Sequence, residues 1–297
     1  MTNPIFSTVP LGQLSAESKE SERATARKDT IAPTIPVQPA YRVDPLARMA
    51  KGNAKWRTAA MRSHRTPTLL WFTRGQGRLT ISGVTRGFGG HNLIFLPKHT
   101  MYGFEAIGQA YGSIVHLADD PNLSLPQTPL HLRFSDLAQQ NEVSTMIDNL
   151  AREIDSDLPG KDRALALQAG LFSVWLERQI DNGPDYDMTP DAARKLAAAF
   201  TQLVERDFRQ THSVSDYAAA LGVTTTHLTR SCNIACGRPA SVILADRVHF
   251  EARRLLKETK YPVKAISKTL GFHSPAYFTR SFHKQTGQSP TAFRKAD

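Results

Sequence analysis

The sequence predicts an α+β chain: a small β domain, a helical segment, and then an all-helical domain. Three observations carry that expectation. Residues 41–130 are short apolar runs punctuated by glycine, the pattern of closely spaced short strands. From Val143 onward apolar residues recur every three to four positions, the period of a helix. Near the C-terminus a helix, a glycine turn and a second helix occur twice in register, a far more specific signal than one helical hairpin.

A chain of 297 residues is long enough for two domains with separate cores. Its net charge of +10 is unevenly divided: residues 191–297 hold 17 Lys and Arg against 8 Asp and Glu, the first 190 residues 20 against 19. A basic domain joined to a nearly neutral one points to a polyanion partner for the former, most simply a nucleic acid. Cys232 and Cys236, four apart in one expected helix, have no second pair to complete a zinc site and read as reduced thiols. No signal core is present at the start, and no run approaches the ~20 apolar residues of a membrane span, so a soluble, cytoplasmic protein with no membrane partner is expected.

Taken in order, residues 1–40 are rich in Ser, Thr, Glu, Lys and Pro and are expected to form a disordered arm. In residues 41–130, Leu69–Thr73 and Arg78–Ser82 flank Arg74-Gly75-Gln76-Gly77, which reads as a β-hairpin, with further strands at His91–Pro97 and Gly112–Leu117. This pattern resembles a cupin-like β-barrel, which implies a domain that senses a small-molecule effector. His64 is followed by Arg65 and Thr66 rather than by a second histidine, so the metal set of many cupins looks absent and neither metal nor cofactor is expected. His64, Trp71, Phe95, His99 and Tyr102 are the candidates for an effector pocket, with core packing the rival role for the aromatic members. Residues 131–183 read as a helical segment for dimerisation or packing: Val143, Met146, Ile147, Leu150 and Ile154 make one stripe, and Leu165–Ile180 is apolar on more than one face. Residues 184–190 read as a linker, and Thr189-Pro190 as the cap of the next helix.

Residues 191–297 hold the repeat. Leu221-Gly222-Val223 aligns with Leu270-Gly271-Phe272, Leu228-Thr229-Arg230 with Phe278-Thr279-Arg280, and Gly237-Arg238-Pro239 with Gly287-Gln288-Ser289-Pro290, at offsets of 49 to 51 residues. In each unit the glycine permits the positive φ that ends the first helix. Between them a helix from Pro239 to about Lys257, ~28 Å long at 1.5 Å per residue, serves as a strut.

The run Ile266, Gly271-Phe272, Ser274, Tyr277-Phe278, Arg280, Phe282, Gly287, Ser289-Pro290 and Phe293-Arg294 resembles the signature of the AraC/XylS family of bacterial transcription factors. Leu221-Gly222, His227-Leu228, Arg230, Arg247 and Leu255-Leu256 extend the resemblance over the last hundred residues. It departs at Cys232, where a large apolar residue is usual, and at Pro275 and Ala276, which offer no side-chain hydrogen bonds. The resemblance implies a regulator, an activator acting through RNA polymerase, that binds double-stranded promoter DNA as a homodimer under control of a small organic effector. It also implies that Thr226, Thr229, Arg230, Tyr277, Thr279 and Arg280 face the DNA groove. His283 and Lys284, together with Lys264 and Lys268, are candidates for phosphate contacts, with an ordinary solvated face as the rival role. Arginine suits guanine, donating to O6 and N7, while threonine offers a hydroxyl and a methyl; a phosphate contact or internal ion pair is the rival role for both arginines. A cupin-type enzyme tethered to a nucleic-acid-binding domain is the alternative, but no nucleophile and base or phosphate-cradling loop is recognisable, and a non-enzyme is expected.

Overall fold

The computed structural model describes residues 40–49, 58–181 and 191–296. The expected arm at 1–40, except its last residue, and the linker at 184–190 lie outside the described residues, as does the Thr189-Pro190 cap. The fold is α+β, with an N-terminal antiparallel sheet and a C-terminal helical domain.

Six strands form one sheet: β1 (Arg42–Pro45), β2 (Thr68–Ile81), β3 (Val84–Phe88), β4 (Asn92–Leu96), β5 (Tyr102–His116) and β6 (Leu130–Arg133). The order is β1-β5-β2-β4-β6, with β3 paired to β2. The sequence expectation of a hairpin at Arg74–Gly77 is corrected here. Residues 68–81 are one strand that bends at irregularities between Phe72 and Gln76 while keeping its pairing with β5. The reversal comes at Ser82-Gly83, where both residues take the positive φ (48° and 72°) that a tight hairpin turn requires. The bend brings β2 and β5 very close: a Cβ on Gly112 would lie 1.8 Å from the Trp71 carbonyl oxygen, so only glycine fits.

Alternation along these strands separates two cores. Leu69, Trp71, Leu93, Phe95 and Val115 face one side and are covered by α2 (Leu137–Asp155) and α3 (Lys161–Asp181) through Val143, Ile147, Phe172 and Trp175. Leu70, Phe72, Ile94 and Ile114 face the other, where the bent sheet closes over Phe88, Tyr102 and Phe104 together with Leu46 of the short helix α1 (Leu46–Met49). Phe72 stacks on Phe88 at 4.1 Å between centroids and meets Phe104 edge-on at 5.5 Å, so aromatic side chains occupy this interior.

The helical domain comprises α4 (Ala192–Asp207), α5 (Val214–Ala220), α6 (Thr225–Cys236), α7 (Ala240–Glu258), α8 (Val263–Thr269), α9 (Pro275–Thr286) and α10 (Pro290–Lys295). Asp191 caps α4, its carboxylate accepting from the Arg194 N–H at 2.8 Å. The core of this domain also contains Met61 and Met101 from the β domain, so the two domains share apolar packing. Among the described residues no helix is long and apolar enough to cross a membrane.

Candidate nucleic-acid interface

Each helix-turn-helix unit is built by the same local chemistry. In the first, the Val223 N–H returns to the Ala218 carbonyl at 3.0 Å across Gly222 (φ 67°), and Thr224 caps α6 by accepting from the His227 N–H. In the second, the Phe272 N–H returns to the Ser267 carbonyl at 3.0 Å across Gly271 (φ 77°), and Ser274 caps α9 by accepting from the Tyr277 N–H. Gly271 has no substitute, because a Cβ there would sit 2.4 Å from the Arg209 carbonyl oxygen. Gly237 and Gly287 then end the two second helices in the left-handed region.

Leu228 and Cys232 in α6, and Phe278 and Phe282 in α9, are fully buried against α7 and its neighbours. Burial of these positions turns the same arc of each helix outward. Thr226 and Arg230 are exposed on α6; Tyr277, Arg280, His283 and Lys284 are exposed on α9; Thr229 and Thr279 are half-buried beside them. The Thr279 hydroxyl donates to the Pro275 carbonyl at 2.9 Å, which leaves its methyl and a lone pair for a partner. Neither Arg230 nor Arg280 makes an ion pair among the described residues. A shallow groove along α6 is lined by Thr225, Thr226, Thr229, Arg230, Asn233 and Ile234. Asn233 and Ile234 were missed from sequence, although the offset of 50 maps them onto His283 and Lys284.

The candidate effector residues fall into two groups: His64, His99 and Tyr102 lie together, the His99 N–H donating to the His64 carbonyl at 2.8 Å, and Trp71 and Phe95 lie apart from them. Trp71 and Phe95 lie on the helix-covered face of the sheet, and the Trp71 Nε1 donates to Ser144 Oγ at 3.2 Å. Tyr102 lies in the other core, with its hydroxyl 2.9 Å from His64 Nε2. His99 is at the domain boundary, where its Nδ1 lies 3.1 Å from Glu205. Among the described residues no three His, Cys, Asp or Glu side chains group as a metal site would need.

Three buried carboxylates join the β domain to the helical domain. Glu205 of α4 accepts from Arg247 Nε at 2.5 Å and from Ser63 Oγ at 2.7 Å. Burial alone would raise its carboxyl, but hydrogen bonds from His99, Arg247 and Ser63 and the Arg247 charge bring it down to about 2. Glu251 of α7 lies among Arg209, Arg247, Arg254 and Arg65. Asp246, also on α7, accepts from the Met61 N–H, Arg238 and Gln285; burial pushes its carboxyl up against those partners. Burial likewise raises the Cys232 thiol to about 12, so it stays protonated and unreactive at neutral pH.

The buried histidines set the acid limit of the fold. Burial, with nearby arginines, holds His116 and His131 at about 4; burial also holds His249 at about 4 and His64 well below its ordinary value. Their folded values lie below the unfolded ~6.5, so the stability they lend is complete above that pH and is lost as pH falls toward 4. Glu205, depressed from its ordinary value, adds a further loss below ~4.5 in the same direction. The thermal midpoint is expected to be flat above about pH 7 and to fall steeply between pH 6.5 and 4.5. A midpoint unchanged down to pH 5 would contradict the burial of neutral imidazoles.

Residues 217–296 match the family model described as a helix-turn-helix domain. An uncharacterized HTH-type transcriptional regulator of Bacillus subtilis (strain 168), YisR, is 29% identical over 189 residues, 63% of this chain. The chain spans 60% of the length of that curated relative. Among solved structures, ToxT of Vibrio cholerae bound to an unsaturated fatty acid aligns over 86% of this chain and 94% of its own, with 15% identity and a TM-score of 0.43. The DNA-binding domain of AdpA in complex with a target DNA aligns over 33% of this chain and 88% of its own, with 26% identity and a TM-score of 0.31. Residues 217–296 thus form a helix-turn-helix domain, with two in-register units on one strut helix.

Proposed function

We propose that the chain is a sequence-specific DNA-binding transcriptional regulator whose β domain carries control by a small organic effector. The observation that supports it best is the duplication of a capped second helix with an outward arginine, Arg230 and Arg280, on a domain that holds nearly all the net positive charge. The strut α7, ~28 Å long, suits two helices placed in successive major grooves on one side of a duplex. Thr226, Thr229, Arg230, Tyr277, Thr279 and Arg280 are proposed to face bases, and His283 and Lys284 phosphates. The test is a genome-wide map of bound sites followed by competition against random DNA. A shared motif and preference for mapped sites support the proposal; equal affinity for random DNA of the same length rejects it. Loss of transcription from those promoters on deletion of the gene is the outcome expected of an activator that contacts RNA polymerase.

For the effector, the support comes from a cavity of about 380 Å³ between the β2–β3 turn and α4. Ile81, Val84 and Ala198 give it apolar walls, and Arg86, Arg194 and Lys195 line it with positive charge. This chemistry suits an organic anion with an apolar body. A panel of such anions should include one that raises the thermal midpoint of the full chain, by mass action on the native state.

A homodimer is part of the same proposal. Leu167, Leu171 and Val174 leave an exposed apolar stripe on α3, at 65%, 69% and 41% exposure, while the opposite face packs on the sheet. Leu167→Lys with Leu171→Lys is expected to convert a dimer to a monomer in sedimentation equilibrium without lowering the thermal midpoint measured at high dilution. A double variant that stays dimeric would exclude this face.

A further inference from the structure

The buried Asp246 carboxylate joins both reading units and the β domain on one side chain. Asp246 is 3% exposed and lies in α7. Its Oδ1 accepts from Gln285 Nε2 at 2.9 Å, and Gln285 is in the last turn of α9. Its Oδ2 accepts from Arg238 at 3.0 Å, and Arg238 directly follows Gly237, the residue that caps α6. The same Oδ2 accepts from the Met61 backbone N–H at 3.1 Å. Arg238 extends the connection, its second terminal nitrogen pairing with Glu105 of β5 at 2.7 Å. A carboxylate is an acceptor at both oxygens and its two oxygens are rigidly spaced, so donors from three elements bound to it are fixed relative to one another.

We infer that Asp246 is a positioning residue that sets the separation of the two DNA-reading helices, and that the β domain adjusts this separation through Met61 and the Glu105–Arg238 pair. The inference rests on the proposal that α6 and α9 read DNA. Asp246 itself faces away from the reading surface, so it acts only through Gln285 and Arg238. Loosening the Met61 and Glu105 contacts leaves Arg238 held by Asp246 alone, and the end of α6 gains freedom relative to α9. Base preference within each half-element depends on α6 or α9 by itself; tolerance of spacing depends on how the two are joined.

The experiment measures affinity of the full-length chain for its mapped site and for versions with one base pair inserted or removed between the two half-elements. Asp246→Asn keeps the shape but can no longer accept at both atoms. It is expected to shrink the preference for native spacing by about tenfold, in keeping with loss of a hydrogen bond to a charged group, while preference at each half-element is retained. Glu105→Gln, which breaks only the exposed arm, is expected to shrink the spacing preference by a smaller factor, and it keeps the test open should Asp246→Asn fail to fold. An unchanged spacing preference in both variants, or a loss equal on all spacings, overturns the inference. Failure of the wild-type chain to prefer its mapped site would instead reject the proposed DNA reading.

Discussion

Glu251→Ala is expected to lower the unfolding free energy by roughly 3–5 kcal/mol. Glu251 is buried and accepts from Arg209 at 2.8 Å and from Arg254 at 2.8 and 3.2 Å, with Arg247 at 3.4 Å. Arg209 is partly exposed and can turn to water, so its share is screened. Arg247 cannot: only 4% of its side chain is exposed, and without Glu251 it keeps Glu205 as its remaining ion-pair partner. The cost comes from leaving that guanidinium buried and partly uncompensated, not from the attraction of the pair. Urea unfolding measures it, and a loss under ~1 kcal/mol would mean that water reaches this cluster. Because Arg65 of the β domain lies 3.7 Å from Glu251, the same variant should also weaken the coupling of the two domains.

Arg280→Ala is expected to cost about 1–3 kcal/mol of specific DNA binding and to relax preference at one position. Arg280 is exposed two residues after the buried Phe278, on the arc of α9 that packing leaves outward. Pro275 and Ala276 at the helix start cannot hydrogen-bond a base, which leaves discrimination to Tyr277, Thr279 and Arg280. Tyr277 is 55% exposed and braced by the Phe272 ring at 6.0 Å, so it is presented rather than free to fold away. If Arg280 contacts a phosphate instead, the loss will be equal on mapped and random DNA, and the salt dependence will fall by about one counterion.

Much of the helical domain was legible because its signals are local. Ser274 and Pro275 mark the start of α9 by rules that act within a few residues, and the structure has them in those roles. The same rules failed at Arg74–Gly77. Two glycines in a polar stretch look like a turn, yet pairing with β5 continues past them, and that pairing is made with residues some thirty positions away. The Ser82-Gly83 turn was hidden because serine is an unusual residue for positive φ. The carboxylate junctions were illegible for a related reason. Glu205, Asp246 and Glu251 sit on helices where charge ordinarily marks the solvated face, and their partners Ser63 and Met61 lie 142 and 185 residues away from Glu205 and Asp246. Residue type makes His64, Trp71, Phe95, His99 and Tyr102 alike as pocket candidates, but strand alternation sends Trp71 and Tyr102 into different cores, which only the register reveals.

The most direct test of two-helix reading is guanine methylation interference with the full-length chain on its mapped site. The proposed arrangement predicts two patches of interference centred about one helical turn, ~10 base pairs, apart on one face of the duplex, with Arg280→Ala erasing one patch and Arg230→Ala the other. A single patch, or two patches that neither substitution alters, would contradict it.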